Sequence, residues 1–397
     1  MSIPVAITGV GILTPLGDNL ASVAQALAAG RSSLAPVDTP LAFASSRFVD
    51  FDATRYANVR GMRIYNRTTR LGICATRLAL ADAGLDGPAL PPEQLGVVMA
   101  STYGHLDTLL EYDRSLVVNG PSRTNPALMP LAIPSAPGAV IALSFAAKAC
   151  SITLADGGSS SLDALGWAAR AVRAGRAQAI VVVGAASVFD ELVLSLGRAG
   201  QLAPPGAHRV FDDAACGTAL GEGAAALVLE SAPHAAARHR EPKAFVAGQA
   251  STFAAAPDQL EDALARAGRQ ALAEACLTAA DLGLVASGAS GVPSVDTAEA
   301  RALLGLLGGD GQARVTAVKS ALGETIDASG LLAAAAALAS LGGAPAGPIL
   351  GLERPAVPGL RYLTRAEPIA ASHALVTATS QTGACSALVL SKEARAA

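Results

Sequence analysis

The chain has 397 residues, of which 51% are hydrophobic and 15% are charged, and its formal net charge is −3. The length allows two ordinary domains or one large α/β unit made of two similar halves, and the weak charge gives no reason to expect binding to nucleic acid or to an anionic membrane. A chain with so few charges must hide much of its surface, so we expect an obligate oligomer. The cysteines show no CxxC or Cys/His spacing, so we expect neither a metal site nor a disulfide framework.

The amino-terminal segment MSIPVAITGVGILTPLGD has no basic leader and no small-residue cleavage site. It is predicted to be a buried first strand and not a signal peptide. The most apolar later stretch, residues 331–341, is too short to cross a bilayer. A cytoplasmic protein without membrane segments is therefore expected.

In the first half, short runs rich in Val, Ile and Ala alternate with longer amphipathic segments, the pattern of an α/β protein with buried sheets. The predicted strands cover residues 5–13, 95–101, 151–155, 179–184 and 224–229. Helices are predicted at residues 20–29, 68–83, 159–174 and 191–196. Residues 36–50 and 119–137 lack periodicity and are predicted to be long surface loops.

After an exposed connection near residues 234–242, the same plan starts again. Strands are predicted at residues 244–250, 282–286, 314–318, 373–379 and 386–390, with helices at 260–275, 297–307 and 330–341. Two successive α/β halves, residues 1–235 and 236–397, are typical of the thiolase architecture. A pair of flavodoxin-like domains would produce a similar pattern, and periodicity alone does not decide between them.

Three motifs resemble segments of the β-ketoacyl-carrier-protein synthases. They are ITGVGILTPLGDN at residues 7–19, NPALMPLAIP at 125–134 and FDDAACGTALGEGAAALVLE at 211–230. Their order and spacing extend the resemblance over nearly the whole chain. The resemblance implies a thiolase-like α/β fold, in which two similar five-stranded halves form αβαβα layers. We expect no cofactor.

The family's nucleophilic cysteine lies in a strand-to-helix elbow followed by serines. Here the elbow reads ADGGSSSL, and Gly158 stands where the cysteine is expected. A thiol at a helix N-terminus has a lowered pKa and can be acylated by a carrier-bound thioester, whereas glycine has no atom to acylate.

Both catalytic histidines of the family are also replaced. The first site reads SGASGVPSVDTAEA, in which counting back from Asp296 puts Gly288 at the histidine position, and matching Ser-Gly to His-Gly would put Ser287 there. The second site, KSALGETIDASG, keeps Lys319 but has Glu324 in place of histidine. The two imidazoles would stabilise an enolate, and a carboxylate would repel that charge. The histidines of the chain lie outside these loops and are interpreted as surface or structural residues, namely His105, His208, His234, His239 and His373.

The Gly-rich turn near the carboxyl terminus is also altered. It reads TSQTGAC, which starts at Thr379, and Gln381 replaces the family's gate-keeping aromatic residue. Loss at three separated sites with intact flanks indicates that the scaffold was kept and the condensation was abandoned.

The resemblance therefore implies a catalytically degenerate chain length factor. Such a subunit forms a heterodimer with an active ketosynthase, meets the acyl carrier protein through the complex, and shapes the tunnel for the growing chain in type II polyketide or aryl polyene systems. Synthases of this class pair their nucleophile strands across the dimer axis. The candidate tunnel and interface residues are Tyr103, Leu106, Leu110 and Tyr112.

Acidic side chains are predicted to line the emptied pocket, and the candidate pocket residues are Asp156, Ser159, Lys319, Asp327, Thr379 and Gln381, with Glu324 beside them. In one interpretation Lys319 pairs with a carboxylate and fills the site, and Ser159 caps a helix. In the alternative, the pocket is a repurposed hydrolase or dehydratase site for carrier-bound acyl chains, which uses Ser159, Asp156 or Glu324.

Overall fold

The computed structural model describes residues 3–37, 43–87, 90–308 and 311–394. Its strands are β1 (Val5–Leu13), β2 (Leu34–Val37), β3 (Phe43–Ser46), β4 (Leu95–Ala100), β5 (Cys150–Leu154), β6 (Ala179–Ala186), β7 (Leu220–Gly221), β8 (Gly223–Ser231), β9 (Ala244–Phe253), β10 (Leu284–Ala286), β11 (Arg314–Thr316), β12 (Arg361–Tyr362), β13 (His373–Thr379) and β14 (Ala384–Ser391). Its α-helices are α1 (Leu20–Ala28), α2 (Arg67–Ala83), α3 (Leu106–Asn119), α4 (Ala136–Ser144), α5 (Ser160–Arg173), α6 (Asp190–Arg198), α7 (Ala232–Ala237), α8 (Leu260–Glu274), α9 (Pro293–Leu307), α10 (Lys319–Leu322) and α11 (Ser329–Leu341).

The main sheet consists of two five-stranded units with the same topology. The first has the order β5-β4-β6-β8-β1, and the second has the order β11-β10-β13-β14-β9, with the short β12 added outside β11. When the strands are counted within each unit, both orders are 3-2-4-5-1. The two units join where Val5 of β1 pairs with Val246 of β9 in antiparallel register. This repeated order confirms the thiolase-like fold of two similar halves.

Two helices lie between the units. Helix α5 packs against β6 and β4 of the first unit and β9 and β14 of the second, and α11 packs against β8 and β13. The sequence of α11, SGLLAAAAALASL, is apolar on all sides and is buried nearly throughout, as expected for a helix enclosed by other elements. Helices α2 and α8 cover the outer faces of the first and second units, which completes the αβαβα layers.

Several predicted loops contain regular structure. Within residues 36–50, β2 and β3 form a small sheet with β7, although residues 38–42 of that prediction lie outside the described residues. β2 tolerates Pro36 because it lies at the edge of the small sheet. Residues 119–137 contain short 3₁₀ turns and the start of α4. The predicted connection near residue 234 begins as helix α7, because the Ser231 hydroxyl caps it by accepting from the His234 N–H.

Among the described residues, no helix combines the length and the hydropathy that a bilayer span requires.

Candidate functional site

The turn between β5 and α5 is the elbow in which the sequence predicts the missing nucleophile. A short 3₁₀ turn, Gly157–Ser159, connects the strand to the helix, and Gly158 is buried in it. A Cβ atom placed on Gly158 would lie 2.4 Å from the backbone carbonyl oxygen of Thr379. A backbone oxygen cannot turn aside as a flexible side chain can. The elbow therefore has no side chain at residue 158 and no room for one as the backbone stands.

Asp156 and Ser159 flank this glycine in different environments. Asp156 is exposed, and its backbone N–H donates to Ser160 Oγ at 2.6 Å. Its assignment to the pocket stays a prediction. Ser159 is buried, and its hydroxyl donates to the Asp156 carbonyl oxygen at 3.4 Å. Ser159 occupies the N-cap position of α5, but its side chain makes no capping hydrogen bond. The prediction that Ser159 caps the helix was therefore wrong.

The loop after β10 encloses the first of the two positions where a histidine was expected. The backbone N–H of Gly288 donates to Glu299 Oε1 at 3.0 Å, and the Ser287 hydroxyl donates to the same oxygen at 2.6 Å. A Cβ atom on Gly288 would lie 2.8 Å from the Thr377 carbonyl oxygen. Both candidate positions are thus occupied by backbone packing and a buried carboxylate, with no space for an imidazole at residue 288.

A buried ion pair occupies the second position. Lys319 Nζ donates to Glu324 Oε2 at 2.6 Å and to the Gly288 carbonyl oxygen at 2.7 Å. Ser329 and the Ile326 N–H donate to the other oxygen of Glu324. Burial alone would raise the pKa of Glu324, but the Lys319 charge and these hydrogen bonds outweigh it and hold the pKa below its usual value. Glu324 is therefore an ionised, fully engaged carboxylate at neutral pH.

Asp327 connects this ion pair to the elbow. Its carboxylate accepts from the backbone N–H and the hydroxyl of Thr102, both at 2.7 Å. The Thr102 hydroxyl in turn accepts from the Gly157 N–H at 3.0 Å. Burial raises the pKa of Asp327 to about 6, against the lowering effect of the Thr102 hydrogen bonds, and the nearby Glu324 charge adds to the rise. The structure thus brings together Lys319, Glu324 and Asp327 but not Asp156.

One histidine lies closer to this cluster than the sequence indicated. His208 Nε2 is 3.1 Å from the Lys319 carbonyl oxygen, and burial lowers the pKa of the imidazole. His208 is therefore neutral at pH 7, and its hydrogen bond is to the backbone of Lys319, whose side chain forms the ion pair. His208 and Lys319 are 111 residues apart in sequence, so no local pattern predicts their contact. The position of His208 just before the FDDAACG motif was the one hint that it lies near the site.

The β13–β14 turn separates the last two predicted pocket residues. Thr379 ends β13 and is buried, and its hydroxyl has no hydrogen-bond partner among the described residues. Gln381 is exposed. The Gly383 N–H closes a tight turn onto the Ser380 carbonyl oxygen, and residue 381 lies at the tip of this turn. Its assignment to the pocket stays a prediction.

The predicted tunnel residues lie at and after the end of β4. Tyr103 precedes α3 and is 42% exposed. Leu106, Leu110 and Tyr112 lie on α3 and are half-buried.

Apolar side chains are exposed beside this segment. Helix α3 packs against the 3₁₀ turn Pro126–Leu131, this turn packs against α4, and α4 packs against the edge strand β5. We call their outer surface the β5-side face. Its exposed large side chains are Leu116, Val117, Val118, Met129 and Leu143, of which Val117 and Leu143 are each 83% exposed. Exposed apolar patches are characteristic of surfaces that bind other proteins.

The geometry defines a thiolase-like protein whose strand-to-helix turn carries Gly158 and is joined to Asp327 through hydrogen bonds of Thr102. Among the described residues, no group of three or more His, Cys, Asp or Glu side chains could hold a metal ion.

The family follows from comparison with known sequences. Residues 2–235 match the β-ketoacyl synthase N-terminal domain, and residues 243–353 match the β-ketoacyl synthase C-terminal domain. The chain belongs to the β-ketoacyl synthase family.

Its relatives include subunits of polyketide systems. The chain is 34% identical over 352 residues to the actinorhodin polyketide putative β-ketoacyl synthase 2 of Streptomyces coelicolor, with 85% of each chain covered. It is 28% identical over 372 residues to the 3-oxoacyl-[acyl-carrier-protein] synthase 2 of a Synechocystis species, with 88% of each covered.

Solved structures show the same architecture. The ishigamide ketosynthase/chain length factor superposes with a TM-score of 0.91 at 25% identity, and the match covers 99% of this chain and all of that one. A ketosynthase from the AntDE:AntF complex, solved with its acyl-carrier protein, superposes with a TM-score of 0.86 at 21% identity and shares the fold.

Proposed function

We propose that this chain is a non-catalytic chain length factor, which pairs with an active ketosynthase and shapes the tunnel for the growing acyl chain in type II polyketide biosynthesis. The observation that carries the proposal is the closed elbow at Gly158, where a Cβ atom would lie 2.4 Å from the Thr379 carbonyl oxygen. Covalent condensation needs an atom there that can be acylated. A β-ketoacyl synthase without that atom contributes to condensation only through a partner.

The relatives support a polyketide setting. One solved neighbour is a ketosynthase/chain length factor, and another is a ketosynthase in complex with its acyl-carrier protein. We infer the same two partners for this chain, with the carrier protein reaching it through the complex. The family resemblance implied an aryl polyene as one setting, and mass spectrometry of the products of the reconstituted pair would identify the product.

The β5-side face is the surface that we assign to the ketosynthase. β5 forms one edge of the main sheet and β12 forms the other, so the free side of β5 is available for pairing with a strand of another subunit. Apolar side chains such as Val117 and Leu143 are exposed around it. An obligate interface needs a surface of this apolar character.

Tyr103 is the best candidate for a residue that limits product length. It lies beside the β5-side face and is 42% exposed, so an aromatic ring at this place can project toward a partner's acyl chain. Truncation to alanine removes the ring and lengthens the space available to the chain. We expect the Tyr103→Ala variant to shift the products of the reconstituted pair to greater length.

The test of the proposal is co-expression with the neighbouring open reading frames, among which we expect an active ketosynthase. The two proteins should copurify in equal amounts, and incubation with acyl-carrier thioester should acylate only the ketosynthase. Three samples are compared by intact mass: this chain alone, the ketosynthase alone, and the pair. An acyl adduct on this chain, or an equal product distribution with and without it, would refute the proposal.

The alternative of a repurposed hydrolase or dehydratase finds less support in the geometry. Asp156 is exposed and Glu324 is engaged by Lys319. The carboxyl group that interacts with Ser159 is Asp163, whose pKa is raised by burial against hydrogen bonds from serine hydroxyls. Hydrolysis of acyl-carrier thioester by the purified chain, lost in the Glu324→Gln variant, would favour the alternative.

A further inference from the structure

The backbone around Tyr103 is held in place from inside the emptied site. Asp327 accepts from the Thr102 N–H and the Thr102 hydroxyl at 2.7 Å each, and from the Tyr103 N–H at 3.4 Å. Asp327 is 2% exposed, whereas Tyr103 is 42% exposed. A buried carboxylate thus binds the backbone of the residue whose ring reaches the surface.

The other side of the same loop is bound by Asn66. Its side-chain amide donates to the Gly104 carbonyl oxygen at 2.7 Å and to Asp107 at 2.6 Å. Asn66 is itself fixed, because its side-chain oxygen caps α2 by accepting from the Thr69 N–H. The loop is therefore attached to the interior immediately before and immediately after the Tyr103 side chain.

We propose that Asp327 is a positioning residue for product length, which holds Tyr103 in the orientation that limits the acyl chain. This inference rests on the proposed chain length role of Tyr103. It gives the emptied site a function: the hydrogen bonds from Gly157 to Thr102 and from Thr102 to Asp327 connect the glycine elbow to the loop that carries Tyr103.

The packing leaves Asp327 little freedom to move. A Cβ atom on Gly184 of β6 would lie 2.1 Å from the Asp327 backbone carbonyl oxygen, so this segment is pressed against the sheet. Its carboxylate consequently provides a fixed point for the Thr102 and Tyr103 amides. Tyr103 does not depend on Asp327 for burial, so loosening the loop changes the direction of the ring without opening the core.

Two substitutions test the proposal. Asp327→Asn replaces one acceptor oxygen by an amide that cannot accept from a backbone N–H. Thr102→Val removes the hydroxyl that joins Gly157 to Asp327, and it replaces Asp327→Asn as the test if that variant does not fold. Thr102→Ser retains the hydroxyl and is the conservative control. Asp212→Asn is the matched control, because Asp212 is a buried carboxylate that accepts from the backbone amides of Ala214, Glu353 and Arg354 elsewhere.

Two readouts are measured. In the isolated chain, hydrogen exchange of the Thr102 and Tyr103 amides should become about tenfold faster in Asp327→Asn, the effect of losing roughly one hydrogen bond. In the reconstituted pair, Asp327→Asn and Thr102→Val should shift the product distribution in the same direction as Tyr103→Ala. Thr102→Ser and Asp212→Asn should leave the distribution unchanged.

The outcomes separate this inference from the proposed function. Unchanged exchange at Thr102 and Tyr103 overturns the positioning role regardless of any partner. Faster exchange with wild-type products, while Tyr103→Ala alters them, also overturns it and leaves the chain length role intact. If Tyr103→Ala itself leaves the products unchanged, the tunnel role of Tyr103 fails and the inference fails with it.

Discussion

The buried Lys319–Glu324 pair offers the most direct test of how the emptied site is filled. The Lys319 side chain is 4% exposed and the Glu324 side chain is 16% exposed, and Nζ and Oε2 are 2.6 Å apart. Lys319→Met keeps an unbranched side chain that is one heavy atom shorter and removes the cation. This leaves a buried carboxylate without its counter-charge and the Gly288 carbonyl oxygen without its donor. Breaking a buried pair from one side costs about 3–5 kcal/mol. We expect a decrease of this size in the free energy of unfolding.

The pH dependence gives a second measurement, with a sign that follows from the pKa of Glu324. In the wild type this pKa is held below the ordinary value of a glutamate, so the carboxylate contributes stability that is present above that ordinary value and is lost as the pH falls through the folded-state pKa. In Lys319→Met, burial is left without the opposing charge and raises the pKa. Stability contributed by this group is then greatest at low pH and is lost as the pH rises.

Urea unfolding at fixed protein concentration, followed by circular dichroism at several pH values, measures both effects. The control is the double variant Lys319→Met/Glu324→Gln, which has no titrating group at residue 324 and retains every other carboxylate. The difference in pH slope between the single and double variants isolates Glu324. The reasoning is refuted if Lys319→Met loses less than about 1 kcal/mol, the range of exposed pairs, or if its slope equals that of the double variant.

Three further variants test other parts of the structure. Gly158→Cys should remain unacylated after incubation with acyl-carrier thioester, as judged by intact mass, and an adduct would contradict this. The variant should also lose about 1–3 kcal/mol of unfolding free energy, because its Cβ atom meets the Thr379 backbone. Glu230→Gln should lose about 3 kcal/mol in urea unfolding, because Arg238 and His234 both bind this fully buried carboxylate; wild-type stability would contradict it. Leu143→Glu should reduce copurification of the ketosynthase at least about tenfold. Val49→Glu is the control, because Val49 is 97% exposed and lies outside the β5-side face, and it should not reduce copurification. Equal loss in both variants would contradict the assignment of the β5-side face.

The fold and the order of the degenerate sites could be predicted because they depend on local patterns. The alternation of apolar runs and amphipathic segments predicted two similar α/β halves, whereas the 3-2-4-5-1 strand order is seen only in the structure. The pairing of Lys319 with a carboxylate could also be predicted, because Glu324 is only five residues away in sequence. The division at residues 235 and 236 stays a prediction, as do the roles of the site residues.

The rest depended on contacts between distant segments. Asp156 and Asp327 each stand beside a family motif, yet one faces solvent and the other faces Thr102, which is 225 residues away in sequence. Nothing local distinguishes them, because the orientation of each is set by the turn that carries it. His208 escaped prediction for the same reason, since its partner is a backbone carbonyl on α10.

The packing around Gly158 also determines whether a substitution could restore the active site of a β-ketoacyl synthase. Three separate features oppose the chemistry: the Thr379 carbonyl oxygen in the space of a side chain at Gly158, the backbone packed around Gly288, and the ion pair at Glu324. Restoring a cysteine would require the end of β13 to move, and β13 is held by its antiparallel register with β14 along its whole length. Because the altered positions are embedded in backbone packing, no single substitution reopens the site. Under the proposed function, the contribution of the chain to condensation therefore comes from its surface, where the β5-side face and the Tyr103 loop are exposed.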